Sequence, residues 1–187
     1  MTTSLFDVLA RWGYSEIHDG TSAAYYVGGP IEALRGKRQQ GADFADLTPQ
    51  ERYTLAWQCA LVRSALLAYF VGIERFSIDS ITRFQLGHLL VPPNVWYPQS
   101  ENRACPFSHY IETESEDARD ARRVQAPPLG YVAPTDPLTV GYANGYYVLI
   151  DGYHRAASFW RFGPPNGTLP VYKPQVPPDL AQVGPPF

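Results

Sequence analysis

The chain has 187 residues, of which 45% are hydrophobic, and its formal net charge is −3. This length and composition predict a globular protein with one hydrophobic core and exclude a disordered chain. The acidic balance excludes a protein whose main task is to coat duplex DNA, because such proteins neutralise phosphates with an excess of basic residues. Any contact with nucleic acid must come from a local patch or from a weak contact between enzyme and substrate.

Three features of the sequence bear on the compartment. The two cysteines, Cys59 and Cys105, make no disulfide framework, which indicates a reducing compartment. The N-terminus lacks the basic and apolar regions of a signal peptide. The most apolar stretch, residues 61–73, contains Arg63 and is too short to span a bilayer. We therefore expect a soluble cytoplasmic protein with no transmembrane segment.

The N-terminal part of the chain, residues 1–95, is predicted to be mainly helical. A first helix runs from a cap at Ser4 to Trp12, with apolar residues along one face. Residues 23–27 are predicted as a strand, and residues 31–40 have a weaker helical pattern that ends in a basic run. These elements lead into the most strongly helical part of the sequence.

Two longer helices are predicted next. Thr48 begins the first, because Glu51 completes a capping box, and apolar residues then recur at helical spacing until Gly72. Residues 78–90 are predicted as the second helix, capped by Ser77. Two adjacent helices raise the question of a helix-turn-helix DNA reader, but the first is too apolar and the second has no basic face. Two core helices packed together are the favoured interpretation.

A polar segment of mixed charge follows, over residues 96–128. Its charged residues are Glu112, Glu114, Glu116, Asp117, Arg119, Arg122 and Arg123. The plain interpretation is a solvated loop and helix. A sharper hypothesis is that one acid and one arginine from this segment reach a functional site.

The C-terminal third carries the most informative pattern. Residues 137–142 and 146–150 predict two strands, because they are rich in aromatic and β-branched side chains. The Asn144-Gly145 pair between them is the strongest short signal for a hairpin, since both turn positions need a positive φ. We therefore predict a β-hairpin over residues 137–150.

A short helix and one more strand are predicted after the hairpin. The helix covers residues 155–162 and the strand covers residues 169–172, while the proline-rich residues 175–187 are expected to lie extended. The order of hairpin, helix and strand predicts an α+β fold. We interpret residues 1–187 as a single domain in which residues 130–175 form the core that carries the function.

The turn from hairpin to helix carries the sequence Asp151-Gly152-Tyr153-His154-Arg155. Where a strand enters a helix through a glycine, unpaired backbone N–H groups point outward at the positive end of the helix dipole and favour an anion. Gly152 lets the backbone approach a phosphate closely, and Arg155 supplies a planar fork that matches phosphate oxygens. The plainer alternative is that Asp151 only caps the helix and Arg155 is only a surface charge.

Together with its flanks, this pentapeptide resembles the ParB/sulfiredoxin superfamily, in which D-G-x-H-R or a variant follows such a hairpin and precedes such a helix. The resemblance covers residues 134–174 and implies a ParB/sulfiredoxin-like core, with the N-terminal helices as an addition. Tyr153 stands where sulfiredoxins carry their redox cysteine, so repair of sulfinic acids is not expected. The chain ends soon after the core, so a complete chromosome-partitioning protein is not expected either.

Within this superfamily, the length and the N-terminal half of the chain resemble the plasmid-borne proteins that inhibit fertility. That resemblance implies hydrolysis of ATP and metal-dependent cleavage of DNA, which together block DNA transfer by a conjugative type IV secretion system. It also implies ATP and Mg²⁺ as ligands, and DNA and a coupling component of the secretion machinery as partners.

Roles for the pentapeptide follow from what phosphoryl transfer requires, which is neutralised phosphate charge and a positioned water. Arg155 and the backbone around Gly152 and Tyr153 hold the phosphate of the nucleotide. His154 is a phosphate donor or a general acid. Asp151 is a magnesium ligand or orients its neighbour.

Two further roles are assigned to the polar segment. A carboxylate activates the attacking water, and its candidates are Glu112, Glu114 and Glu116. A second clamp on the phosphate comes from Arg122 or Arg123. The sequence alone leaves the choice within each set open.

Two other functions remain as alternatives to a nucleotide hydrolase and nuclease. One is a non-catalytic module that binds nucleotide as a switch or docks on a secretion component, which the apolar residues Trp96, Tyr97 and Phe187 would fit. The other is a small-molecule kinase, which would yield a phosphorylated acceptor in place of free phosphate. Magnesium-dependent release of phosphate separates the hydrolase from both.

Overall fold

The computed structural model of the protein describes residues 2–17, 26–92, 104–113, 131–178 and 180. The chain forms two compact units. The N-terminal unit comprises Thr3–Ala68, and the C-terminal unit comprises Met1–Thr2 and Tyr69–Phe187.

The N-terminal unit is built from helices. The elements in chain order are strand β1 (Thr2–Ser4), helix α1 (Leu5–Glu16), helix α2 (Gly29–Gln39), a 3₁₀ turn (Phe44–Asp46), helix α3 (Pro49–Val62) and a 3₁₀ helix (Ser64–Phe70). The expected helices near residues 4–12 and 31–40 are confirmed with small shifts of their ends. The expected strand over residues 23–27 lies largely outside the described residues.

Both predicted helix caps in this unit are confirmed. The Ser4 hydroxyl accepts a hydrogen bond from the backbone N–H of Asp7 at 3.1 Å. The Thr48 hydroxyl accepts one from the N–H of Glu51 at 3.3 Å, and the Glu51 carboxylate accepts one from the N–H of Thr48 at 2.9 Å. Lys37 also forms an ion pair with the Glu51 carboxylate at 2.6 Å. These side chains satisfy N–H groups that a helix start leaves without partners.

Helices α1 and α3 approach closely at a glycine. A Cβ on Gly13 would lie 2.8 Å from the carbonyl oxygen of Leu55, so a larger residue would push the helices apart. Beside this contact, the Glu16 carboxylate accepts hydrogen bonds from Arg63 Nη2 at 2.6 Å and from Trp12 Nε1 at 3.0 Å. The half-buried ion pair thus joins the end of α1 to the end of α3.

Within the described ranges, the C-terminal unit contains six strands and three helices. Its elements are β2 (Arg75–Thr82), α4 (Arg83–His88), β3 (Leu90–Val91), β4 (Cys105–Pro106), α5 (Phe107–Thr113), β5 (Leu138–Ala143), β6 (Tyr146–Asp151), α6 (Tyr153–Phe162) and β7 (Thr168–Pro174). Six of its strands lie in the order β2-β7-β5-β6-β3-β4. Adjacent pairs alternate between antiparallel and parallel, so the sheet is mixed.

The hairpin predicted around Asn144 and Gly145 is confirmed. Strands β5 and β6 pair antiparallel, and the two turn residues have φ angles of 53° and 86°. Asn144 is the one non-glycine residue with a positive φ among those described, as expected for this hairpin turn. The helix and the last strand predicted after the hairpin are confirmed as α6 and β7.

The helix predicted over residues 78–90 is wrong in its first half. Residues 75–82 form strand β2, which pairs antiparallel with β7 from Phe76 opposite Pro174 to Thr82 opposite Thr168. Thr82 caps the short helix that follows, because its hydroxyl accepts a hydrogen bond from the N–H of Gln85 at 3.2 Å. A partner strand some 90 residues away overrode the local helical pattern, as tertiary context often does.

The core of the C-terminal unit lies between the sheet and helix α6. Leu138 and Val140 of β5 and Ala156 and Phe159 of α6 are among its fully buried members. This packing confirms the mixed α+β class. Across the described ranges, no helix has the length and apolar character needed to cross a membrane.

Candidate functional site

The candidate site is the turn where β6 passes into α6. Asp151 ends the strand, Gly152 is the N-cap, and Tyr153 is the first helical residue. The backbone N–H of Ala156 donates to the carbonyl of Gly152 at 2.9 Å, which closes the first turn of the helix. The N–H groups before it have no acceptor within the helix, as at any helix start. The five residues predicted as a site therefore lie together on one strand–helix junction.

Gly152 is required here for two reasons. Its backbone is left-handed, with φ 95° and ψ 24°, a conformation that costs other residues about 1–2 kcal/mol. A Cβ at this position would also lie 2.5 Å from Leu138 Cδ2 and 3.1 Å from Arg155 Nη2. The glycine therefore allows the turn to lie directly against the start of β5 and against the arginine of its own motif.

Arg155 is bound within the protein. Its Nη2 donates to Asp151 Oδ2 at 2.9 Å, and its Nη1 donates to the carbonyl oxygens of Asp136 at 2.9 Å and Pro137 at 3.0 Å. The side chain is 24% exposed. The guanidinium thus connects the first turn of α6 with the end of β6 and with the residues that lead into β5.

Tyr153 is directed toward the interior. Its hydroxyl donates to the carbonyl of Leu149 at 2.7 Å, and its ring packs edge-on against Tyr110 of α5, with 6.3 Å between ring centroids. The tyrosine therefore fixes α5 beside the turn. His154, the next residue, is exposed on the first turn of α6.

The other predicted site residues are only partly described. Glu112 is exposed on α5, the helix that contacts Tyr153 through Tyr110. The remaining candidates of the polar segment lie outside the described residues: Glu114, Glu116, Arg122 and Arg123. Of the predicted acids, the described part of the chain thus brings Asp151 to the turn and Glu112 to the neighbouring helix.

A magnesium ion can be tested against this donor set. Among the described residues there is no group of three or more His, Cys, Asp or Glu side chains that could hold a metal ion. Asp151 gives one carboxylate at the turn, and one of its oxygens already accepts from Arg155. Mg²⁺ commonly takes one or two protein carboxylates and completes its shell with water and substrate phosphates. Among the described residues, the turn itself thus offers a metal ion the carboxylate of Asp151.

The partners of Arg155 before β5 were missed by the sequence reasoning. Asp136 and Pro137 contribute backbone carbonyls, and a carbonyl is available at every position of a chain, so no residue type marks them. The Asp-Pro pair is a common turn signal and is the one local hint that the chain bends there. Comparisons of the chain with protein-family models, with curated proteins and with solved structures gave no match.

Proposed function

We propose that the turn from Asp151 to Arg155 binds a phosphate group of a nucleotide, and that the protein hydrolyses ATP and cuts DNA. The observation that carries the proposal is the D-G-x-H-R sequence on a strand–glycine–helix turn, with Gly152 left-handed. In the ParB/sulfiredoxin superfamily, which this part of the chain resembles, such a turn handles phosphate. A helix start also favours an anion through its N–H groups and dipole.

The charges at the turn support an anion site. An isolated Asp151 carboxylate would repel a phosphate at this position, but its ion pair with Arg155 offsets that negative charge. His154 is exposed on the same first turn and offers a further donor or a general acid. The local charge of the turn is therefore suited to phosphate although the whole chain is acidic.

The remaining roles in the proposal concern the attacking water and the second clamp. Glu112 is the described candidate for the carboxylate that activates the water, since its helix lies beside the turn. Glu114 and Glu116 are its alternatives, and Arg122 or Arg123 is the second clamp. Magnesium would come with ATP, and the Asp151 carboxylate would be its ligand from the protein.

The wider role follows from the resemblance to the plasmid fertility-inhibition protein Osa. We propose that the protein acts in the cytoplasm on DNA presented by a conjugative type IV secretion system, through a coupling component of that machinery. An enzyme that receives its DNA from a partner does not need the basic surface of a DNA-coating protein. Expression in a donor strain should lower the frequency of plasmid transfer, and unchanged transfer would remove this part of the proposal.

The biochemical test measures phosphate release from ATP and nicking of a plasmid, both with Mg²⁺. The wild type is compared with a folded His154→Ala, Arg155→Ala double variant and with His88→Ala, which changes an exposed histidine on α4. The double variant should lose at least about 100-fold in both rates, because it removes a donor and the ion pair that shapes the turn. The His88 control should keep both rates. Wild-type rates in the double variant would contradict the assignment of the turn.

A non-catalytic docking module is the second candidate. The observation that favours it is the exposed Phe84 side chain on α4, 74% exposed with its ring 4.4 Å from that of His88. An exposed aromatic pair of this kind fits a contact with another protein. Trp96, Tyr97 and Phe187, which prompted the same idea, lie outside the described residues. Absence of ATP turnover in the purified wild type would favour this function.

A further inference from the structure

We infer that Arg155 is a positioning residue, which holds the turn in the shape that binds phosphate, and does not itself contact the phosphate. The inference departs from the role that the resemblance implies for this arginine. It rests on the proposed function only where phosphate is concerned. The three hydrogen bonds of Arg155 that support it lie within the protein and do not depend on any ligand.

Three of the five N–H donors of the Arg155 guanidinium are already in use. A guanidinium has five N–H donors, two of them on Nη1. Both Nη1 donors are used, by the carbonyl oxygens of Asp136 and Pro137, and one Nη2 donor is used by Asp151. A phosphate held by the fork of Nη1 and Nη2 would have to displace at least one of the two carbonyl oxygens from Nη1. Hydrogen bonds to a charged group are the stronger ones, so each bond adds to the cost of release.

The guanidinium of Arg155 lies close to Gly152. The site of a Cβ on Gly152 would lie 3.1 Å from Arg155 Nη2 and 3.3 Å from Cζ, so the guanidinium lies against the backbone of the glycine. The same Cβ would lie 2.5 Å from Leu138 Cδ2, the first residue of β5. Arg155 and Leu138 thus both pack closely against the left-handed glycine of the turn. Loss of the arginine would leave two carbonyls and one carboxylate without their donor.

The start of α6 can favour a phosphate while Arg155 keeps its contacts. The positive end of the helix dipole lies at this turn and attracts an anion without any of the Arg155 hydrogen bonds breaking. Arg155 acts on the phosphate through this helix start, because it fixes the turn. Preorganised donors bind more tightly than donors that must first be ordered.

The test compares Arg155→Gln, Arg155→Lys and the control Arg75→Gln, which removes an exposed arginine from β2 of the same unit. Backbone amide hydrogen exchange is measured without any ligand, over residues 136–141 and 151–156. Both Arg155 variants should exchange at least about tenfold faster in these segments than the wild type, since neither side chain has the planar guanidinium whose two Nη atoms reach the three acceptors. Arg75→Gln should exchange like the wild type.

Binding of inorganic phosphate gives the second measurement. If Arg155 were a phosphate ligand, its charge would matter most, and Arg155→Lys would bind phosphate much more tightly than Arg155→Gln. For a positioning residue, the two variants should be weakened to within about threefold of each other, because both lack the planar fork.

Either of two results would overturn the inference. One is exchange in ligand-free Arg155→Gln that matches Arg75→Gln. The other is phosphate binding that Arg155→Lys restores to near the wild-type affinity. If the wild type binds no phosphate and hydrolyses no ATP, the proposed function fails, while the exchange measurement still decides whether Arg155 holds the turn.

Discussion

Replacement of Gly152 by alanine is the most direct test of the geometry of the turn. Two costs add up at this position. The first is the left-handed backbone at φ 95°, which costs an alanine about 1–2 kcal/mol. The second is the steric overlap of its Cβ with Leu138 Cδ2 at 2.5 Å, and overpacking of this kind costs about 1–3 kcal/mol. We therefore expect Gly152→Ala to lower the free energy of unfolding by about 2–5 kcal/mol.

Gly72→Ala is the matched control, because Gly72 belongs to the same unit and also has a positive φ, of 76°. Its Cβ would meet Leu180 Cδ1 at 3.7 Å, which is an ordinary contact. The control thus carries the backbone cost without the overlap. Urea unfolding, with the free energy extrapolated to water, measures both variants. Equal losses in the two variants would show that the close approach of the turn to Leu138 is not real.

Three further predictions concern other parts of the fold. Gly141→Ala should cost about 1–3 kcal/mol in urea unfolding, because its Cβ would lie 2.8 Å from Cβ of Tyr69. Thr82→Ala removes a helix cap and should lower the free energy of unfolding by about 1 kcal/mol. Ser77→Ala, within strand β2, should lower it by less than about 0.5 kcal/mol. A larger loss for Ser77→Ala than for Thr82→Ala would instead support a helix that begins after Ser77. The side chain of Lys37 and the backbone N–H of Thr48 donate hydrogen bonds to the Glu51 carboxylate, and these bonds hold the pKa of Glu51 below its usual range. A carboxyl with a lowered pKa stabilises the fold above its ordinary range and stops doing so as the pH falls through the folded value. Glu51→Gln should therefore lower stability at neutral pH, with a difference that shrinks on acidification; a difference independent of pH would contradict this pairing.

Elements with local signals were predicted well from the sequence. The Asn144-Gly145 turn needs two positive φ angles, and few residue pairs accept them, so the hairpin could be located to within a residue. The capping box at Thr48 fixed the start of α3 for a similar reason, since the side chain and the backbone bond each other over four residues. In both cases the physical cause lies within a few residues of its effect.

Elements that depend on distant partners were predicted poorly. β2 contains Ile78 and Ile81 at a spacing that also fits a helix, and only its pairing with β7 makes it a strand. The capping box of Thr82 and Gln85 was present in the sequence and would have placed the helix start correctly. β3 and β4 are two residues long, too short for any pattern of alternation to appear. The position of a strand in a mixed sheet is a property of the whole chain.

The candidate site shows the same division between local and distant causes. The location of the turn and the need for Gly152 could be predicted, because a strand that enters a helix through a tight turn favours glycine. The orientation of Arg155 could not, since its acceptors before β5 reach it only after β5 and β6 have paired. A motif therefore predicts which residues are together at a turn, and the packing around the turn decides what each side chain does.

The surroundings of the turn explain why the adjacent residues His154 and Arg155 differ in exposure. β6 pairs with β5 on one side and with β3 on the other, so Asp151 ends an interior strand of the sheet. Arg155 ties that strand end to the start of β5, and such multiply held elements open only at high free energy. His154 is exposed on the first turn of α6. Binding a ligand at low cost requires donors that are already in place, together with one group that can adapt to the ligand. Arg155 serves the first requirement indirectly, because its three hydrogen bonds fix the turn, and the exposed side chain of His154 serves the second. Variants of Arg155 should therefore change hydrogen exchange at the turn before any ligand is added.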